Sequence, residues 1–223
     1  MLSPSVRVLA AILFAVLLCT SLSAQPDVHA IADKVDQRYN HLQTLEAQFS
    51  ETYSGAGMTR TESGMLTLKK PGRMRWDYEQ PRPKMFLTDG TTAWFYVPGE
   101  RQVRRASVKQ LDDLRSPLRY LLGKTKLEKE FVGLSLASNE KPLYDGDIVL
   151  QGIPKSLADR AANTLLEVSG DGLIRRIVID QLDGSVTEFR FLQQKENVQV
   201  PDKRFQFTPP PGVEVVQGTE LTE

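Results

Sequence analysis

The side chains that most often carry catalysis are scarce in this sequence. It holds two histidines, His29 and His41, and one cysteine, Cys19, in 223 residues. The histidines fall on one helical pattern. At about 100° per residue they point roughly 120° apart, so one helix cannot turn both onto a shared metal. Asp112 and Asp113 are adjacent. On a helix they diverge by about 100°, a poor geometry for a paired acid and base. Asp89, Asp145, Asp171 and Asp183 are each followed by glycine, which reads as turn chemistry rather than acid chemistry. No histidine–glutamate zinc helix, nucleophile elbow, phosphate loop or dinucleotide fingerprint is present. The expectation is a protein that is not an enzyme, with no cofactor and no metal.

What the sequence does concentrate is apolar surface. Between Lys69 and Pro98, Met74, Trp76 and Tyr78 alternate with Arg73, Arg75 and Asp77. Phe86 and Leu87 then lead through Asp89-Gly90 to Trp94, Phe95 and Tyr96, so both tryptophans of the chain lie in this stretch. Alternation bounded by proline, glycine and Asp-Gly predicts strands joined by tight turns. Which of Trp94 and Phe95 faces inward is left open, because both are aromatic.

The rest of the chain must position and cover that ribbon. A net charge of +0 gives no reason to expect nucleic acid as a partner. The apolar run from Val8 to Cys19 follows Arg7 and precedes the small residues Ser21, Ser23 and Ala24. It is too short for a membrane-spanning helix of about 20 residues and reads as a secretory signal peptide over residues 1–24. Cleavage after Ser23 or Ala24 leaves a mature chain without cysteine, which must rely on its apolar core. Residues 25–223 are expected to form a single domain.

Val28, Ile31, Ala32, Val35, Tyr39 and Leu42 recur at helical spacing, with Asp27 as N-cap. Leu45 to Tyr53 and Met65 to Lys70 read as strands, with a turn at Ser54–Gly57. Arg101, Arg104, Arg105 and Lys109 make a basic cluster in sequence, read as a solvated face or a docking patch. Val108, Leu111 and Leu114 mark a helical turn or two. Ser116-Pro117 then starts a short helix with Leu118, Leu121 and Leu122 on one face, stopped by Gly123. From Leu127 onward the pattern is β. Leu165–Ser169, Leu173–Asp180 and Val186–Leu192 form a meander in which Ile177 and Ile179 share a face, as do Phe189 and Phe191. Val213, Val215 and Val216 add a last edge strand. An open curved sheet of this kind needs helices over its apolar face.

The run LTLKKPGRMRWDYEQP, Leu66 to Pro81, resembles the signature of the periplasmic outer-membrane lipoprotein carrier family, LolA. Thr88-Asp89-Gly90 with Trp94-Phe95-Tyr96 and Pro98, Ser116-Pro117-Leu118 with Leu121, and Phe205 to Val215 resemble further segments of that family in the same order. The resemblance implies an α+β, mainly β fold: an unclosed antiparallel β-barrel covered by a helical lid, with an apolar cavity between. It implies a chaperone that takes acylated lipoproteins from an inner-membrane ABC-type lipoprotein-release transporter. The cargo would cross the periplasm to an outer-membrane lipoprotein acceptor, carried by a monomer. By resemblance, Phe49, Met74, Trp76 and Phe86 line the cavity from the sheet, Tyr39 from the first helix, and Leu118 and Leu121 from the lid. Lys70 stands where the family has an arginine that helps hold the lid shut. A lysine cannot make the same forked bonds. The alternative reading is an envelope lipid-binding or sensory module of the same fold with no shuttling role.

Overall fold

The computed structural model describes residues 26–108 and 126–218. The helix expected at the start is α1, Val28–His41. The Asp27 side chain accepts a hydrogen bond from the His29 backbone N–H at 3.0 Å, which satisfies one of the free donors of the first turn. Its buried stripe is Ile31, Ala32, Val35 and Tyr39, the spacing of one helical face.

Six strands follow in sequence: β1 (Thr44–Gly55), β2 (Met58–Lys69), β3 (Arg73–Gln80), β4 (Lys84–Thr88), β5 (Thr92–Tyr96) and β6 (Gln102–Ser107). The β1–β2 hairpin is longer than its apolar pattern indicated. Only its first half carries buried side chains on both strands. Ala56 and Gly57 both have positive φ, 50° and 76°, the two-residue turn whose twist matches that of the strands.

The second half begins with a correction. Leu127–Glu130 is one turn of helix, α2, not strand. The Leu127 N–H donates to Asp36 of α1 at 2.9 Å and its side chain is buried, so docking on α1 overrides local strand propensity. Strands β7 (Phe131–Leu136), β8 (Ile148–Pro154), β9 (Ala161–Val168), β10 (Ile174–Gln181) and β11 (Val186–Glu196) follow, and β12 (Glu214–Gln217) ends the sheet.

The twelve strands of the described residues form one sheet, in the order β12-β6-β5-β4-β3-β2-β1-β11-β10-β9-β8-β7. Two antiparallel meanders are therefore joined through the β1–β11 pair at the centre. The fold is the expected unclosed curved sheet, with β7 at one edge and β12 at the other. One pairing departs from the antiparallel rule. Strand β12 runs parallel to β6, because the chain returns along the sheet before entering it.

The curvature can be read from ring distances. Strands β3 and β11 are three strand spacings apart, about 14 Å in a flat sheet. Yet Trp76 of β3 and Phe189 of β11 have ring centroids 6.0 Å apart. The sheet wraps around its own aromatic side chains. One core cluster runs from Phe95 and Phe86 through Trp76, Phe49 and Phe191 to Leu166 and Leu150, with α1 packed against it.

Candidate functional site

The side chains that meet inside the curve are set by register. Leu66, Trp76, Phe86 and Phe95 lie opposite one another across β2 to β5. Leu45, Leu68 and Met74 form the next row toward α1. Phe49 lies opposite Phe191 on one side and Gly64 on the other. Gly64 matters because a side chain there would meet the Asp77 carbonyl oxygen, and its bareness leaves the row to Phe49 and Tyr78. Those two rings pack edge to face at 4.9 Å.

Trp76 sits at the centre of this arrangement. Its ring lies 4.6 Å from Phe49, 6.0 Å from Phe189 and 6.4 Å from Phe191. It is 1% exposed, yet its indole Nε1 has no hydrogen-bond partner among the described residues. A buried donor left unsatisfied costs about 1–3 kcal/mol, so an aromatic cage made only for packing would favour phenylalanine.

The structure places Tyr39, Phe49, Met74, Trp76 and Phe86 on one continuous inner surface, all buried. Leu118 and Leu121 lie outside the described residues, as do Lys109 and the rest of the Ser116–Gly123 segment. Phe95 points inward and Trp94 outward, where it meets Phe207 at 5.6 Å. Three inner residues, Phe95, Phe189 and Phe191, were not among the expected site residues. Their strand alternation carried the signal, but alternation alone does not say which face of a strand is the inner one.

At the α1 end the surface is closed by polar bonds around the helix. The Tyr39 hydroxyl accepts the Ile174 N–H at 3.1 Å, and burial raises its pKa further above the usual tyrosine range. Lys70 donates from Nζ to the Tyr39 carbonyl and, at 3.2 Å, to that of Asn40. A cation at a helix C-terminus suits the free carbonyls there, so this contact ties the end of β2 to α1; the segment expected as the lid lies outside the described residues. Arg38 reaches Asp171 at 2.7 Å and Glu196 at 2.5 Å, and Lys34 donates to the Gly170 carbonyl at 2.8 Å.

The opposite end carries charge inside the curve. Lys84 and Glu62, 8% and 7% exposed, pair at 2.7 Å. The Lys84 ammonium also lies 4.4 Å from the Tyr78 ring centre, and the Tyr78 hydroxyl donates to Glu51 at 2.7 Å. Trp76 thus stands between a mainly apolar region, without charge, and one that holds a buried ion pair. Sequence reasoning missed Glu51, Glu62 and Lys84, because charged residues within strands are ordinarily read as solvent-facing.

Two residues of the basic cluster, Arg104 and Arg105, part to opposite faces of β6. Strand alternation sends Arg104 to the side of Phe95 and Arg105 to the side of Trp94, with guanidinium-to-ring distances of 5.8 and 5.3 Å. The outer face instead carries the chain's return segment, in which Phe205 is buried and Phe207 packs on Trp94 and Tyr96. An open groove of about 510 Å³ beside it is lined by Arg73, Asp89, Thr92, Trp94 and Arg105 among others, a polar lining unsuited to hydrocarbon. His29, on the exposed surface, pairs with Glu128, which raises its pKa. His41 donates from Nδ1 to the Gln37 carbonyl within its own helix. Among the described residues no group of three histidine, cysteine, aspartate or glutamate side chains could hold a metal ion.

Comparison with known proteins gives the same direction. The family described as outer membrane lipoprotein carrier protein LolA matches residues 40–208. The outer-membrane lipoprotein carrier protein of Chromobacterium violaceum is 32% identical over 78% of this chain and 82% of its own. That of Nitrosomonas europaea is 27% identical over 92% of this chain and 98% of its own. Among solved structures, an uncharacterized conserved protein from Thermus thermophilus superposes with a TM-score of 0.55 at 14% identity, covering 85% of this chain and 98% of that one. Mycobacterium tuberculosis lipoprotein LppX gives 0.51 at 14% identity, covering 80% and 100%. These two similarities concern the fold alone.

Proposed function

The chain belongs to the LolA family of outer-membrane lipoprotein carriers, and on that footing we propose that it binds the acyl chains of lipoproteins and ferries them between membranes. The observation that carries this reading is the inner aromatic surface: Phe49, Trp76, Phe86, Phe189 and Phe191 gathered on one face of an open sheet. Hydrocarbon placed on that face loses its water contact, worth about 0.8 kcal/mol per CH₂. In this reading Met74 and Tyr39 extend the surface toward α1, and Leu118 and Leu121 add to it from the segment between β6 and α2. The role is transport, with no catalytic step.

Full burial of two or three lipid chains would gain tens of kcal/mol by the same measure, and the cargo would never leave. The inner residues are already buried against one another and against α1. Acyl chains must therefore replace protein–protein contacts, which returns part of that gain and makes release feasible without an energy source of the carrier's own. The donor would be an inner-membrane transporter and the acceptor an outer-membrane protein, with the carrier working as a monomer in the periplasm. Among the described residues no helix is long and apolar enough to cross a membrane.

The test is native mass spectrometry of the protein mixed with a triacylated lipoprotein and with the same lipoprotein lacking its acyl chains. A one-to-one complex formed only by the acylated cargo is expected. Equal binding of both forms would overturn the reading. Binding of free lipid but not of acylated protein would favour the lipid-binding module over the carrier.

A further inference from the structure

The aromatic polar groups of the inner face differ in one respect. The Tyr39 hydroxyl is satisfied by the Ile174 N–H, and the Tyr78 hydroxyl by Glu51. Among the described residues the Trp76 indole N–H has no such partner. Among the described residues Asp147, Thr164 and Gln194 also have a buried atom without a hydrogen bond, but Trp76 is the one of the four that sits in the aromatic cluster. Its position along the curve is specific. Across the sheet its neighbours are Leu66 and Phe86, and the next row on the α1 side is Leu45, Leu68 and Met74, ending at Thr88. On the other side come Tyr78, Lys84, Glu62 and Glu51, which carry the buried ion pair and the hydroxyl–carboxylate bond. An amphiphile lying along this surface would place its hydrocarbon in the first region and its linkage to the polar part at the boundary, where the free N–H is.

We infer that the Trp76 indole N–H is the donor that recognises an ester carbonyl of the bound lipid, which makes Trp76 a specificity-determining residue and not only part of an apolar wall. This rests on the carrier reading above. It goes further by naming the chemical group that is read: an acyl ester, as opposed to hydrocarbon of the same length without a carbonyl.

Two matched ligands test it: a dipalmitoyl S-glyceryl-cysteine peptide with ester-linked chains, and its counterpart with ether-linked chains of equal length. The chain has two tryptophans, so a ¹⁵N–¹H spectrum shows two indole signals. Trp94 on the outer face serves as the internal control. With the ester ligand the Trp76 signal should move downfield while that of Trp94 stays in place. With the ether ligand the downfield shift should be missing. The ester should also bind about 5- to 10-fold more tightly, the size expected for one hydrogen bond. Trp76→Phe keeps an aromatic ring within the Phe49, Phe189 and Phe191 cage. It should bring the two affinities to parity: the smaller ring changes the apolar contact of both ligands alike, whereas the ester alone loses the hydrogen bond. If both ligands bind the native protein equally and shift the Trp76 signal alike, the inference fails while the carrier reading stands. If neither binds, the carrier reading fails and takes the inference with it.

Discussion

On β3, Met74, Trp76 and Tyr78 point into the curve, whereas Arg73, Arg75 and Asp77 point out of it. Each set has its own cover. Inside, among the described residues, α1 closes one end of the curve, seated by an apolar stripe and fastened at its rim by Lys34, Arg38, Tyr39 and the Lys70 contact. Outside, the cover is the strap from Val200 to Phe207, anchored by the buried Phe205 and edged by charge. Asp202 pairs with Lys69 at 2.6 Å and Arg73 at 2.7 Å, and Arg204 pairs with Asp77 at 2.9 Å. Phe205 and Phe207 supply the apolar contact of the strap. One face is thus built for apolar exchange under a fastened helix. The other is sealed by an anchored strap that needs no exchange. If the carrier reading is right, damage to the strap should cost stability alone, and damage to the α1 seat should also alter lipid binding.

The largest expected effect tests the outer side. Phe205 is fully buried, and Phe205→Ala should destabilise the fold by about 3–5 kcal/mol through the cavity it leaves. Urea denaturation measures that loss. Below the transition, acyl-ligand affinity per folded molecule should match the native protein. A parallel drop in affinity would break the separation of the two faces.

The inner side has a counterpart in Gly172, at the turn beneath α1. Its φ is +85°, and a Cβ there would lie 2.6 Å from the Lys34 carbonyl oxygen in the α1 backbone. Gly172→Ala combines a left-handed backbone with a clash that α1 can relieve only by moving. A loss of about 2–3 kcal/mol is expected, smaller than that of Phe205→Ala. It should nonetheless change acyl-ligand affinity, measured by titration calorimetry. Unaltered affinity would mean that α1 does not bear on the lipid surface.

This difference between faces explains what could be read from the sequence. The period-two alternation of Arg73 to Tyr78 fixes that the strand is two-sided, and α1 is legible from its stripe and its Asp27 cap. Alternation cannot say what lies over each side. The charges Lys69, Arg73, Arg75 and Asp77 meet a strap more than 100 residues later in the chain, a separation no local pattern encodes. Phe205 and Phe207 are for the same reason visible as a motif and silent as to target. The inner charges are harder still. Lys84 follows Pro83 in a five-residue strand buried at every position. Only the register with Tyr78 turns its side chain to Glu62 and the inner surface. Trp94 and Phe95 are adjacent aromatics, and their division between faces depends on pairing with Leu87 and Phe86.

Smaller effects sharpen the contrast in how the covers are held. Arg204 and Asp77 are 43% and 24% exposed, so their pair contributes at most about 1 kcal/mol. Arg204→Gln should lower stability by roughly that amount at low salt. The loss should fade as salt screens the native pair. A salt-independent loss would show that Arg204 acts by packing rather than charge, and the ionic account of the strap would need revision.

The weakest expected effect concerns the rim of α1. The Ser169 hydroxyl, and after it the Arg38 guanidinium, hold the Asp171 carboxyl well below its usual range, at about 2. A carboxylate whose pKa falls on folding adds stability at pH values above the unfolded value, near 3.8. That contribution is lost as pH drops from about 4 to about 2. The side chain is 71% exposed, so solvent screening keeps the contribution under about 1 kcal/mol. Asp171→Asn should therefore be slightly less stable than the native protein at neutral pH, and the two should converge near pH 2. Asp202 on the strap, lowered by the Lys69 hydrogen bond with Arg73 beside it, gives the matched change on the outer face. Both substitutions should flatten the acid limb of stability, whereas only Asp171→Asn should raise the rate at which bound acyl ligand leaves. An equal rise for Asp202→Asn would mean that the covers act as one unit through the sheet, and the two-sided reading of β3 would have to give way to a coupled one.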